Sequence, residues 1–447
     1  MSAMDPTQLS WLSASDAARA IVDGAISSEQ LVEACLERVR EADPKVEAWA
    51  HLDPELALKQ ARACDERRRE GKATGPLHGV PVGVKDIFDT SDLPTEDGTV
   101  LHAGRTPSRD ATAVAMLRAA GAIVLGKTVT TECAYFAPGK TRNPHNPEHT
   151  PGGSSSGSAA AVAAGMVPLA LGSQTNGSTI RPASFCGVYG FKPTHGLIPR
   201  GGVLRLSRTL DHVGLFARTI EDIALMAEQL TGHDLRDPDT RPRARVPFVA
   251  TAAQEPPMPP ILAFVRTPAW ERAAEETKEA FKELVAELGE RVIEIDLPES
   301  ASNAWDWHRT IMAAEMAANL DLEWERGRAQ LSEQLRALLA RGREVKALDY
   351  QKALARIELL NEGFAEIFEQ CDAILTPAAL GTAPKGLDST GDPAFCSLWT
   401  LCGTPAISLP LMNGENGLPM GVQLVGARDH DARLLRTARW LSTEVLR

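Results

Sequence analysis

The chain has 447 residues, 43% of them hydrophobic and 24% charged, and a formal net charge of -12. That length carries one large core or two domains, and the composition is that of an ordinary globular protein. The acidic balance argues against a nucleic-acid partner held by general electrostatics, and no run of about 18 uninterrupted apolar residues offers a membrane span. The opening stretch, MSAMDPTQLSWLSASDAARAI, has no basic head followed by an apolar run, so the chain reads as a cytoplasmic protein.

Residues 7–71 read as helical. Ser15 precedes a first helix, Ser27-Ser28-Glu29 caps a second that runs to about Arg40 with Leu31, Cys35 and Val39 on one face, and a third runs from Pro54 to Glu70. Together they form a packing arm. Val80-Pro81-Val82-Gly83-Val84 is a buried strand that ends at Lys85, Ala111 to Gly121 is a helix with a glycine stop, and Ile123 to Lys127 is a second strand. This alternation predicts an α/β fold with a mixed or parallel central sheet flanked by helices. Thr128 to Pro151 is a polar loop that would pass close to the serines; Thr131, Glu132 and Tyr135 read either as lining the site or, as loop polarity favours, as plain loop residues.

Leu235 to Pro260 is rich in proline and charge and reads as an exposed connection. Residues 261–297 return to strand, helix and strand. Trp305 to Phe368 is amphipathic and helical, with its aromatics read as core. Cys371 to Pro377 ends a core strand; Ile407 to Pro410 and Val422 to Val425 form a hairpin before a terminal helix. No internal repeat is visible, and the whole chain reads as one domain.

One stretch has a different character: Thr150 to Thr194, TPGGSSSGSAAAVAAGMVPLALGSQTNGSTIRPASFCGVYGFKPT. It holds two clusters of small and hydroxylated residues, Gly152 to Gly157 and Ser173 to Ser178. Between them, Ser158 to Ala164 suits a short helix and Val167 to Leu171 a buried strand, so the chain can double back and bring the clusters together. A flexible linker would not run straight into apolar segments. A phosphate-binding loop would need a Lys-Ser/Thr pair after its glycines. A serine nucleophile remains, and Gly153-Ser154-Ser155-Ser156-Gly157 matches the G-x-S-x-G pattern with Ser155 at its centre and His212 as the base it would recruit.

The same stretch resembles the amidase signature family. The resemblance extends upstream to Leu77-His78-Gly79-Val80-Pro81-Val82-Gly83-Val84-Lys85-Asp86 and downstream to Gly403-Thr404-Pro405-Ala406 and Gly417-Leu418-Pro419-Met420-Gly421-Val422-Gln423. It implies the amidase signature fold, a large mixed sheet with helices on both faces, and a Ser-Ser-Lys triad with Ser178 as nucleophile, Ser154 as bridge and Lys85 as base. It also implies a cis peptide at Gly153-Ser154, an oxyanion hole from the backbone of Thr175, Asn176, Gly177 and Ser178, and no cofactor. In such a family the N-terminal helices often contribute to a homodimer contact, and about residues 300–368 form a pocket wall that varies with substrate.

The chemistry can be argued beside the resemblance. A serine hydroxyl attacks only when a base takes its proton, and a lysine becomes such a base when burial lowers its pKa. On isolated sequence Lys85 would read as a strand-end lysine paired with Asp86; the resemblance reverses that order. Where many family members carry a glycine, this chain has Asn176, a residue that accepts left-handed dihedrals. Arg181 follows the nucleophile by three residues, as in the malonamidase-like branch. It reads either as a clamp for a substrate carboxylate or as a structural ion pair.

The seven scattered cysteines form no disulfide framework or C-x-x-C motif, Cys186 reads as a buried core residue, and the ten histidines hold no H-E-x-x-H, so no catalytic metal is expected. The expected activity is hydrolysis of a linear amide C–N bond in a small-molecule substrate. The alternative is the amidase component of a tRNA-dependent amidotransferase, which would need an accessory subunit.

Overall fold

The computed structural model describes residues 6–297 and 299–445; the first five residues of the opening stretch lie outside them. Its centre is one mixed sheet of eleven strands: β1 (Trp49–Leu52), β2 (Pro81–Lys85), β3 (Ile123–Thr128), β4 (Leu169–Gln174), β5 (Tyr189–Lys192), β6 (His212–Ala217), β7 (Leu262–Val265), β8 (Val292–Ile295), β9 (Ala373–Pro377), β10 (Ala406–Asn413) and β11 (Pro419–Val425). Their order across the sheet is β1-β3-β2-β4-β6-β5-β10-β11-β9-β7-β8. Strands β3, β2 and β4 run parallel, as do β9, β7 and β8, and the strands between these two blocks are antiparallel.

Every residue of β2, β3, β4, β6, β9 and β11 is buried. A sheet so buried needs helices on both faces, which is why these strands are apolar runs rather than alternating ones. The parallel block fixes the site. β2 and β4 are neighbours that point the same way, and ligands in such sheets gather beyond the carboxyl ends of the strands. Lys85 and the turn after Gln174 lie at those ends.

The helix Ser156–Ala163 joins the two serine clusters. Its residues from Ser156 to Val162 are all buried, and small side chains let it approach the sheet closely. A Cβ at Gly157 would lie 2.2 Å from the carbonyl oxygen of Ala48 and 2.4 Å from the nitrogen of Val129, so only glycine fits there. Gly214 has the same role on β6, where a Cβ would fall 2.0 Å from the Oγ1 of Thr179.

Three segments differ from the sequence reading. Residues 49–52, inside the helical arm, form edge strand β1 against β3; a four-residue strand between two strong helix patterns gives too short a period to read. The connection before Pro260 contains the helix Phe248–Ala252, and Phe248 is buried edge-on against Phe191 with ring centroids 6.3 Å apart. A fully buried phenylalanine contributes roughly 1.5–3 kcal/mol, which ties this segment to the core. The third is the wholly buried helix Ala394–Leu401, whose run of apolar residues has no polar face to reveal its period.

Candidate active site

Lys85 ends β2 with its side chain fully buried. Its Nζ donates to the Oγ of Ser154 at 2.7 Å and to the Oγ of Ser173 at 2.8 Å. Asp86, the partner that isolated sequence favours, lies instead 3.1 Å from the Nζ of Lys127, because successive residues of a strand point to opposite faces. Burial pushes the Lys85 ammonium well below its usual 10.5, and the charge of Asp211 pulls the other way.

The peptide Gly153-Ser154 is cis. Ser154 and Ser178 line one narrow cavity, together with Thr175, Asn176, Arg181, Tyr135, Phe136, Met312 and Met316. Of the loop residues that the sequence offers as possible lining, Tyr135 takes that place, with loop polarity the favoured reading; the methionines sit in the helix Ala304–Asn319, a segment whose apolar residues read as core. Nothing in their local sequence distinguishes them from packing residues.

The turn Thr175–Ser178 is held by its carbonyls. The carbonyl of Thr175 accepts from His308 Nε2 at 3.0 Å, that of Asn176 from Thr400 Oγ1 at 2.6 Å, and that of Gly177 from the backbone N–H of Arg181 at 3.0 Å. In a planar trans peptide the C=O and the next N–H point in opposite directions. Anchoring these three carbonyls therefore aims the N–H groups of Asn176, Gly177 and Ser178 away from the supporting helices. His308 is fully buried and burial lowers it to about 4, so it serves as a neutral donor through Nε2. Neither His308 nor Thr400 carries a motif that sequence reasoning could have used.

Asn176 is not among the residues with positive φ, which corrects the expectation of a left-handed asparagine. Its side chain instead anchors the turn, with Oδ1 accepting from Ser397 Oγ at 2.7 Å.

Arg181 is buried beside Ser178. Its Nε donates to the carbonyl of Thr390 at 2.7 Å, and one terminal nitrogen donates to the carbonyl of Gly153 at 2.6 Å. The other, Nη1, has no partner among the described residues. No carboxylate among them pairs with the guanidinium either, so the structural ion pair is not formed. Burial lowers the guanidinium to about 10.

The Ser155 and His212 pair does not assemble. The Oγ of Ser155 is bonded to the backbone of Ser173, donating to its carbonyl at 3.2 Å and accepting from its N–H at 3.1 Å. His212 is buried with Nδ1 against the carbonyl of Leu210 at 2.7 Å, and burial holds it well below its usual 6.5. Cys186 is buried and its thiol is pushed up by desolvation, as a core residue's would be. One group with metal-ligand spacing occurs among the described residues, His51, Asp86 and Glu96, with ligand atoms within 4.8 Å of one another. The Lys127 ammonium beside Asp86 already supplies the positive charge there.

Among the described residues no helix is long and apolar enough to cross a membrane. A family model described as Amidase matches residues 30–435. The A component of glutamyl-tRNA(Gln) amidotransferase from Chloroflexus aggregans is 34% identical, with 96% of each chain covered. Its counterpart from Streptomyces coelicolor is 35% identical over 95% of this chain and 94% of its own. Among solved structures, a chain from a vestigial protein complex that reveals the origins of an s-triazine catabolic enzyme superposes with a TM-score of 0.90 at 28% identity, covering 97% of this chain and 98% of that one. The peptide amidase of Stenotrophomonas maltophilia gives 0.85 at 28% identity, with 99% and 98% covered. The chain belongs to the amidase signature family and is an enzyme of amide C–N bond cleavage.

Proposed function

We propose that this chain is a serine amidohydrolase that works through Ser178, Ser154 and Lys85. The observation that carries the reading is the 2.7 Å contact from a fully buried lysine to Ser154, in a cavity that Ser178 also lines. The Oγ of Ser178 attacks the amide carbonyl carbon while its proton passes to Ser154, whose own proton passes to neutral Lys85. The oxyanion meets the backbone N–H groups of the Thr175–Ser178 turn. Collapse breaks the C–N bond, and the proton returns through Ser154 to the leaving nitrogen, which departs as ammonia or an amine. Water then repeats the sequence on the acyl-Ser178 ester and releases the acid. No step calls for a cofactor.

The substrate is a small amide that bears a carboxylate. Arg181 supports this, because its free Nη1 is buried beside the nucleophile with only neutral acceptors on its other nitrogens. A buried cation without a counterion favours an anionic ligand.

A second reading has a specific observation behind it: the curated relatives named above are each the A component of an amidotransferase. In that case the same triad would liberate ammonia for a partner protein. One experiment addresses both. Ammonia release is measured from a panel of short amides, half bearing a carboxylate, with wild type and Ser178→Ala, and the purified chain is sized to separate monomer, homodimer and complex. Hydrolysis by the isolated chain, confined to the carboxylate amides and lost in Ser178→Ala, is the expected result. A silent isolated chain that gains activity with a copurifying protein would favour the amidotransferase.

A further inference from the structure

The oxyanion turn has a support that lies outside the triad. Gln174 is fully buried at the end of β4. Its Oε1 accepts from the backbone N–H groups of Thr179 at 2.9 Å and Ile180 at 3.0 Å, at the start of the helix Ile180–Cys186 that carries Arg181. Thr179 gives that helix no side-chain cap, so Gln174 caps it from outside. The Nε2 of Gln174 donates to the Oγ1 of Thr400 at 3.0 Å.

The Thr400 hydroxyl sits 2.6 Å from the carbonyl oxygen of Asn176 and 3.1 Å from that of Cys396, one turn back on its own helix. A hydroxyl has a single proton. With one lone pair occupied by Gln174, the proton is given to a carbonyl, and the shorter contact is to Asn176. Ser397 on the same helix holds the side chain of Asn176. The helix Ala394–Leu401 thus grips Asn176 at both of its oxygens.

The next residue, Gly177, has no side chain to resist rotation of the peptide that joins it to Asn176. The hydroxyl that meets the carbonyl of that peptide is that of Thr400. Because the peptide is rigid, fixing its carbonyl fixes its N–H. We infer that Thr400, oriented by Gln174, is the positioning residue that keeps the Gly177 N–H aimed at the developing oxyanion. The inference rests on the reading of Ser178 as nucleophile. It also gives a reason for an amide at position 174: a carboxylate there would still cap the helix but would have no proton to give Thr400.

The test uses the full chain with p-nitrophenyl acetate, whose acyl transfer builds the same tetrahedral oxyanion. Thr400→Val keeps the shape and removes the proton, and Thr400→Ser keeps the proton. Gln174→Glu keeps the helix cap and removes the donor. Thr400→Val is expected to lower kcat by about 10- to 100-fold, somewhat less than deletion of a whole oxyanion donor, with KM within about twofold. Thr400→Ser should recover most of the loss, and Gln174→Glu should lower kcat in the same direction as Thr400→Val. Wild-type kcat in a folded Thr400→Val variant would overturn the inference while leaving Ser178 in place. A rise in KM without a fall in kcat would also overturn it. Activity in Ser178→Ala equal to wild type would remove the nucleophile reading and this inference with it.

Discussion

The Nζ of Lys85 lies 2.7 Å from the Oγ of Ser154, and both groups are buried. Burial lowers the proton affinity of Lys85 on folding, so below pH 10.5 the unfolded chain holds more proton at this site than the folded one. Stability is therefore diminished by Lys85 at neutral pH and rises with pH up to the unfolded value of 10.5. Lys85→Met should lower activity by about 10²-fold or more and at the same time raise the melting temperature at pH 7. A thermal melt that moves down instead would show that burying Lys85 does not cost stability at this pH. In the wild type, kcat/KM should rise with pH through a group well below 10.5, the neutral lysine being the active form.

Lys192 offers an independent test of the same physics. It is fully buried, its Nζ donates to the carbonyls of Thr404 and Pro193, and burial lowers it to about 7. Between about pH 7 and 10.5 the unfolded lysine holds a proton that the folded one has released, so stability rises with pH across that window. One such group gives a slope of up to about 1.4 kcal/mol per pH unit. Urea unfolding of Lys192→Met across this range should show the slope reduced by about that amount; an unchanged slope would mean that the lysine stays charged.

Ser155 and Ser178 should separate cleanly under mutation. The hydroxyl of Ser155 is engaged on both sides by the backbone of Ser173, so Ser155→Ala should lower stability by roughly 1 kcal/mol and leave kcat within a few-fold. Ser178→Ala should leave stability nearly unchanged and remove turnover. Steady-state kinetics with denaturant melts on the two variants decides the matter, and retention of activity in Ser178→Ala would return the nucleophile to Ser155.

Arg181 is tested by substrate preference. Lysine at this position keeps a charge but not the fork that reaches Thr390, Gly153 and a ligand together. Arg181→Lys should raise KM for carboxylate-bearing amides about 10- to 100-fold, the loss of about 1.4–3 kcal/mol expected for a charge-assisted hydrogen bond, and leave neutral amides little affected. Equal losses on both classes would assign Arg181 to holding the Gly153 carbonyl alone.

The site is legible in sequence where its chemistry is local. The two serine clusters and the buried strand end at Lys85 are local features, and their meeting follows from the lengths between them; the roles proposed for Ser178, Ser154 and Lys85 come from the family resemblance, since local pattern alone puts Ser155 at the centre and pairs Lys85 with Asp86. The sheet is legible for the same reason wherever an apolar run is bounded by turns. What sequence does not yield are the groups that act from a distance. His308 and Thr400 touch the Thr175–Ser178 turn from helices far down the chain, and a single histidine or threonine in an apolar helix carries no period or motif. Asn176 is misread because a dihedral argument is applied to a residue that is instead fixed by its side chain. The edge strand Trp49–Leu52 depends on pairing with β3, and a pairing partner is not visible in four residues.

The position of the helix Ala394–Leu401 has a consequence for biosynthesis. Lys85, Ser154 and Ser178 emerge early from the ribosome, but the helix that grips Asn176 follows β9 and precedes the hairpin of β10 and β11. That hairpin closes the sheet between β5 and β9. Contacts so far apart in sequence form late. A nascent chain that already contains Lys85, Ser154 and Ser178 therefore lacks the contacts that Thr400 and Ser397 make to Asn176 until this later segment is in place.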